Sequence, residues 1–448
     1  MSRQQTSFGK WFSPEERRAQ GRLRRKQVSR LQLAQWKPEA RTQSAASLIR
    51  HSMQGRVPDL AKLKIQRMSV SPFGYFRGAV PVMAADLALL PHTGILSQIC
   101  GDAHVSNLGA YVGADGQTVF DINDFDETIR GPFEWDLKRL ATSLILAGRN
   151  AGARDATSED AVRACLISYT RLITGFSSMS ALDVARYRVH RLDAVKPVAS
   201  IFRMAARATP QHTLDLLTEK AGHKKTKDVL QQRHFKTMRP DLWRLTGEKA
   251  AAVLASLKMY QQSLLPEHQH IFSQYRALDV AFKVVGTGSV GLRDYVVLLE
   301  GNGSRDPLFL QIKEEAVSGY ASYLKQGAAQ YEHNGQRVAE GQRAMQLQSD
   351  PFLGWTQVIG CDYLVRQLND HKAAVDISKL KGNVLKAYAE VCGELLARGH
   401  ARAGDACQIE GYIGSGSRFT NALLHFALRY ADQTERDWKE LAQHEGKA

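Results

Sequence analysis

The stretch Cys100–Glu127, CGDAHVSNLGAYVGADGQTVFDINDFDE, sets Asp102, His104, Asn107, Asp121, Asp124 and Asp126 around two short apolar runs. The preceding ILSQIC reads as a short buried strand, GDAHVSN as a loop, and LGAYVGADGQTVFDI as a hairpin turning at Asp115-Gly116. Unpaired charges at the ends of buried strands are costly, so such carboxylates usually hold a metal or take a proton. The plainer reading is that Asp102 and Asn107 cap local backbone, as Asp and Asn do in turns. Phosphoryl transfer needs this inventory: a carboxylate to orient or deprotonate a hydroxyl, and an amide with a second carboxylate to hold Mg²⁺. Asp102 is the candidate base. Asn107 with Asp124 or Asp121 is the candidate metal pair, and the spacing leaves that choice open.

Working outward, EWDLKRLATSLILAG (Glu134–Gly148) is a firm helix with Leu137, Leu140, Leu144 and Ala147 on one face. Upstream, Ser71-Pro72 signals a helix entry, and Phe73, Phe76, Val80, Met83 and Leu87 recur at helical spacing. Helical sequence continues to about residue 270. Three β-type runs follow, Ala281–Val285, Asp294–Glu300 and Leu308–Lys313, divided by glycine-rich turns. A helix is predicted over 320–348, strand-like WTQVIGCDYLVRQL after it, then a helix from Ser378 to Arg398 and a helical tail. The strands therefore group at 95–125 and 280–368. Four units result: a basic, partly helical segment 1–66, a helical lobe 67–270, a β-rich lobe 271–371 and C-terminal helices 372–448.

The β-rich lobe holds a second constellation. Gly286, Gly288 and Gly291 spell G-x-G-x-x-G, and Lys313 ends a later apolar strand. A dinucleotide fold places such glycines between a strand and a helix. Here DYVVLL follows directly, so they sit between strands, a context that suits a loop over nucleotide phosphates with Lys313 reaching them. Such a lysine needs an acidic partner on the following helix. Glu332 and Glu340 are the candidates, and Glu340 is preferred.

Bulk properties bound the rest. The 448 residues exceed one simple core, and 44% hydrophobic with 23% charged residues is an ordinary globular composition. No apolar run approaches the roughly 18–20 residues of a membrane span. The basic N-terminus has no apolar stretch behind it, so no secretory signal is expected. Five scattered cysteines without a CxxC pair read as reduced thiols of a cytoplasmic protein. A net charge of +15 favours an acidic partner: nucleic acid, a membrane surface or a phosphorylated ligand. The basic runs Arg17–Arg30 and Lys220–Arg239 read as solvated helix faces, which leaves nucleic-acid binding secondary.

RMSVSPFGYFRGA, CGDAHVSNLG, FDINDFDETIRGPFEWDLKRLATS, GTGSVGLRDYVVLLEG and FLQIKEE together resemble the bacterial family called domain of unknown function 2252, from about Arg67 to Asp437. Those pieces are in turn similar to aminoglycoside phosphotransferases and protein kinases. The resemblance implies an α+β, bilobal, kinase-like fold, helix-rich with a small antiparallel sheet lobe. GDAHVSN matches the G-D-x-H-x-x-N catalytic loop, which implies Asp102 as base with His104 in the same motif. NDFD resembles the metal-binding D-F-G segment, which implies Asn107 and Asp124 as metal ligands. Asp136 looks like the buried aspartate that braces the loop. In kinases the glycine loop and lysine precede the catalytic loop; here they follow it by about 180 residues, as in a circular permutant.

The resulting expectation is an ATP- and Mg²⁺-dependent phosphotransferase acting on an unknown hydroxyl acceptor. Nucleotidyl transfer is a variant of that chemistry. The rivals are a non-catalytic nucleotide- or nucleic-acid-binding protein and a metallophosphoesterase. If the permuted reading is right, Lys313 and Asp124 share one cleft and lie within about 15 Å, allowing for lobe opening.

Overall fold

A computed structural model describes residues 11–189, 192, 195–207, 209–220, 230, 232–284, 290–303, 305–324, 331–368 and 375–445. The fold is mixed α+β, with small antiparallel sheets set among helices. The first strands are β1 (Leu96–Ile99), β2 (Leu108–Val112), β3 (Thr118–Ile122) and β4 (Ile129–Pro132). β1 pairs with β4, Ile99 opposite Ile129. β2 and β3 form the expected hairpin, Leu108 opposite Ile122 and Val112 opposite Thr118. Gly116 closes that turn at φ +73°, a left-handed conformation that glycine adopts without strain.

β4 runs straight into the Phe133–Asn150 helix, which is buried along nearly its whole length. Around it pack the Asp155–Phe176, Gly382–Ala403 and Ser417–Glu445 helices, and together they bury one large apolar core. The Gly382–Ala403 helix approaches closely because Gly393 faces the Cys165 carbonyl; a Cβ there would lie 2.1 Å from the oxygen.

The remaining strands are β5 (Thr218–Lys220), β6 (Arg233–Phe235), β7 (Leu242–Arg244), β8 (Arg276–Lys283), β9 (Asp294–Glu300), β10 (Pro307–Glu314), β11 (Gly354–Val358) and β12 (Cys361–Gln367). Six of them make one antiparallel sheet in the order β11-β12-β10-β9-β8-β7. β9 is buried at every position because both faces are covered. Val297 and Leu299 join a core shared with the Gly247–Ser263 helix. Val296 and Leu298 face a smaller cluster with Leu214, Leu217 and Phe235. That split is the period-two alternation of a strand.

Some expectations need correction. β5, β6 and β7 lie in sequence read as helical, and all three are only three residues long. WTQVIGCDYLVRQL is two strands: Ile359 (φ +48°) and Gly360 (φ +75°) form a two-residue turn between β11 and β12. The helix predicted over 320–348 is described as Asn334–Met345, with the His333 side chain accepting from the Gln336 N–H at its start. Among the described residues no helix is long and apolar enough to cross a membrane.

Candidate functional site

The loop from Cys100 to Asn107 is fixed from beneath. Asp136, in the first turn of the Phe133–Asn150 helix, accepts from the backbone N–H of Cys100 (2.8 Å) and of Gly101 (2.9 Å). His400 Nε2 lies 3.3 Å from the same carboxylate, and Tyr169 Oη lies 2.9 Å from His400 Nδ1. One helical turn after Asp136, Arg139 reaches the loop from the same helix face. Its Nε and Nη2 lie 2.6 and 2.5 Å from Asp102 Oδ1. Burial pushes the Asp102 carboxyl up to about 6; Arg139 opposes that rise and Asp124 adds to it. The loop thus presents a carboxylate with one oxygen committed and the other facing its neighbours.

His104 is buried, and burial with the charges of Arg77 and Arg139 holds it neutral. Its Nδ1 accepts from the Ser106 N–H (3.2 Å), which places the ring proton on Nε2, 3.7 Å from Asp102 Oδ2. Asn107 donates from Nδ2 to the Asp102 carbonyl (3.0 Å), and its own carbonyl accepts from Asn123 N–H (3.0 Å). With Nδ2 engaged, Oδ1 is the amide atom able to take a metal.

The sheet meets this loop through Lys313 on β10. Its ammonium pairs with both oxygens of Asp126, and lies 3.9 Å from Asp124 Oδ1 and 4.0 Å from Glu315 Oε1. Burial alone would lower the lysine pKa, but Asp126 and Asp124 hold the proton on it, so it stays a cation. Burial and the neighbouring Asp124 raise Asp126. Burial, then Asp126, raises Glu315 well above its ordinary carboxylate value, while Lys313 opposes the rise. Arg366 of β12 donates to the Asn123 carbonyl (3.3 Å), a second tie between sheet and loop. Lys313, Asp102, Asn107 and Asp124 line one cleft, although the chain separates their segments by close to two hundred residues.

Other candidates stand elsewhere. Asp121 is buried and turned away from the cleft: it accepts from Ile122 N–H (2.8 Å) and Leu347 N–H (3.2 Å) and pairs with Arg398. Those bonds tie the hairpin to its neighbours, so the oxygen set in the cleft comes from Asp124. Glu340 accepts from Gln336 Nε2 (2.8 Å), and Glu332 is exposed. Among the described residues the acids within 4 Å of Lys313 are instead Asp126, Asp124 and Glu315, two delivered by the loop and one from two residues along the lysine's own chain. Gly286 and Gly288 lie outside the described residues. Gly291 has φ +101°, and its carbonyl accepts from Val57 N–H (2.8 Å).

A magnesium ion fits these residues. Asn107 and Asp124 offer hard oxygens on the cleft wall, and the Asp124 side chain is 37% exposed. Among the described residues no group of three or more His, Cys, Asp or Glu side chains could hold a metal ion. A site of two protein oxygens, completed by substrate phosphates and water, is the usual form for magnesium.

A family model described as an uncharacterized protein conserved in bacteria, DUF2252, matches residues 56–444. The chain belongs to the DUF2252 family. No curated protein and no solved structure matches it. The DUF2252 match begins at Arg56 and so takes in further cleft residues, of which only Arg77 lies in a quoted motif, RMSVSPFGYFRGA. Arg56, Lys64 and Arg77 line the cleft together with the carboxylates. Arg139 carried one legible signal, a charge three residues after Asp136 in an apolar helix. Lys64 carried none, since nothing local separates it from a surface lysine.

Proposed function

We propose that this DUF2252 protein is an ATP- and Mg²⁺-dependent phosphotransferase of kinase-like, circularly permuted architecture, acting on a hydroxyl acceptor. One observation carries the reading: Lys313 from the sheet reaches the Asp124–Asp126 loop inside the cleft that Asp102 and Asn107 line. Lys313 pairs with nucleotide phosphates, and Asn107 Oδ1 with Asp124 holds the metal. Magnesium, when bound, supplies charge neutralisation at the phosphates. Asp102 accepts the hydroxyl proton through the oxygen that Arg139 leaves uncommitted. The acceptor oxygen forms a bond to the γ-phosphorus, the bond from that phosphorus to the bridging oxygen breaks, and the electron pair leaves on the β-phosphate of ADP.

Calorimetry with ATP and Mg²⁺ is the direct test. Binding that requires the metal and is lost in Lys313→Met is expected. A folded sample that takes up no nucleotide at millimolar concentration ends the proposal. A nucleotide-binding protein without turnover is the second reading, favoured by Arg139 occupying one Asp102 oxygen. Release of labelled phosphate or its transfer in a single-turnover assay separates the two.

A further inference from the structure

We propose that Lys64 and Arg77 form an anion subsite beside Asp102, and that the acceptor is a hydroxyl compound bearing a phosphate or carboxylate group. This rests on the phosphotransferase reading. Lys64 lies on the Pro58–Ser69 helix and is only 2% exposed, yet it lines the cleft. Arg77 follows on the Pro72–Gly78 helix, and its Nε is buried without a hydrogen-bond partner. An oxyanion in the cleft would supply that partner.

The short ion pairs of Asp102 and Asp126 go to other cations. Asp102 draws its ion pair from Arg139, which is fully buried behind the loop, and Asp126 draws its own from Lys313. Arg56 is engaged with backbone instead. It donates to the carbonyls of Ser52 (3.0 Å) and Val290 (2.7 Å), the latter within the glycine segment beside Gly291. Holding a lysine in a buried wall costs desolvation, and an apolar side chain of similar volume would be as stable or more so. Burial takes the Lys64 pKa down to about 7, and Arg56 adds to the drop while Glu127, Asp102 and Asp126 oppose it. A bound anion would restore its charge.

Position assigns the anion to the acceptor. Arg77 acts electrostatically on Asp102, Asp124 and His104, and Lys64 on Asp102. A base must lie within hydrogen-bond reach of the hydroxyl it serves. Cations beside that base therefore meet whatever group sits a few bonds from the hydroxyl. A cationic acceptor, such as a polyamine, would face like charge there.

The test loads the full chain with Mg²⁺ and a non-hydrolysable ATP analogue, then titrates inorganic phosphate by calorimetry. Phosphate uptake by the loaded protein is expected, weakened about tenfold or more in Arg77→Gln and in Lys64→Met. Analogue affinity should stay within about threefold of wild type in both. Arg77→Gln alters a half-buried residue and keeps the test valid if Lys64→Met fails to fold. No phosphate uptake by the loaded protein, or uptake unchanged in the variants, overturns the subsite. If the analogue itself does not bind, the phosphotransferase reading fails separately, and the titration moves to the ligand-free protein. Phosphate binding there that depends on Arg77 sustains the subsite, and its absence overturns that too.

Discussion

Asp102 and Asp126 are half-buried carboxylates in the same cleft as Asp124, yet each has its own cation: Arg139 for one, Lys313 for the other. On the proposed reading, that separation leaves Asp102 for the base role while Asp126 pairs with the lysine. Asp102→Asn should lower any turnover by about 10²–10⁴-fold while ATP binding stays nearly unchanged, because an amide keeps the shape but accepts no proton. Steady-state rates beside calorimetry check this, and full turnover by the variant would remove Asp102 from the mechanism. Asp124→Asn should instead weaken nucleotide binding only when Mg²⁺ is present. The cleft carboxylates were legible because they are crowded into one short stretch with strand signals on both sides. The partner of Lys313 was not. A kinase-like pattern puts that acid on the following helix, whereas Asp126 sits two residues after Asp124, where the pattern assigns no lysine partner.

At the scale of elements, the Phe133–Asn150 helix does most of the positioning, since Asp136 and Arg139 grip the loop from one face. Its apolar periodicity was plain in the sequence, but the charged residues within it gave no hint of how deeply the helix is buried. Lys138 is a case in point. It is 1% exposed, with Nζ 4.3 Å from the Phe426 ring centroid, and burial lowers its pKa to about 8 while Glu134 opposes the drop. Below pH 8 both folded and unfolded chains carry the charge, and the folded state bears the full desolvation cost. Between pH 8 and the usual lysine range near 10.5 the folded chain releases the proton first, so this lysine's penalty fades as pH rises. Lys138→Met should therefore stabilise the protein at pH 7 by about 1–3 kcal/mol, and by less toward pH 10. Denaturant melts at the two pH values measure it. Equal effects at both would mean that the gain is packing rather than charge. The short strands β5 to β7 were missed for a related reason: three residues give too little alternation to stand out from helical neighbours.

Across the whole molecule, the +15 net charge turns out to be partly structural. Part of the basic run Arg17–Arg30, read from sequence as a solvated face, is spent on the far end of the chain. The Pro14–Gln27 helix packs on the Ala406–Ile413 helix. Arg25 Nε donates to the Tyr412 carbonyl and Arg30 Nη1 to the Ile413 carbonyl, both at 2.8 Å. These are last-turn carbonyls, which a helix cannot satisfy internally and toward which its dipole favours cations. Arg18 pairs with Glu410 at 3.4 Å and Arg17 with Asp405 at 3.3 Å. The approach depends on a glycine in each helix. A Cβ on Gly21 would lie 2.1 Å from the Gln408 carbonyl oxygen, and one on Gly411 would lie 2.2 Å from that of Arg18. Both contacts are backbone and cannot swing aside. Gly21→Val should push the N-terminal helix off, costing about 1–3 kcal/mol through overpacking and lost cap bonds. Trypsin should then cut within Arg17–Arg30 much faster than in wild type, ahead of any cut in the helical core. Gly175 is the internal control, since a Cβ there meets nothing within 4 Å inside the Asp155–Phe176 helix. Gly175→Ala should be neutral or stabilising by up to about 1 kcal/mol. Wild-type trypsin resistance in Gly21→Val would show that the helix docks without the glycine contact, leaving the arginine–carbonyl bonds to hold it.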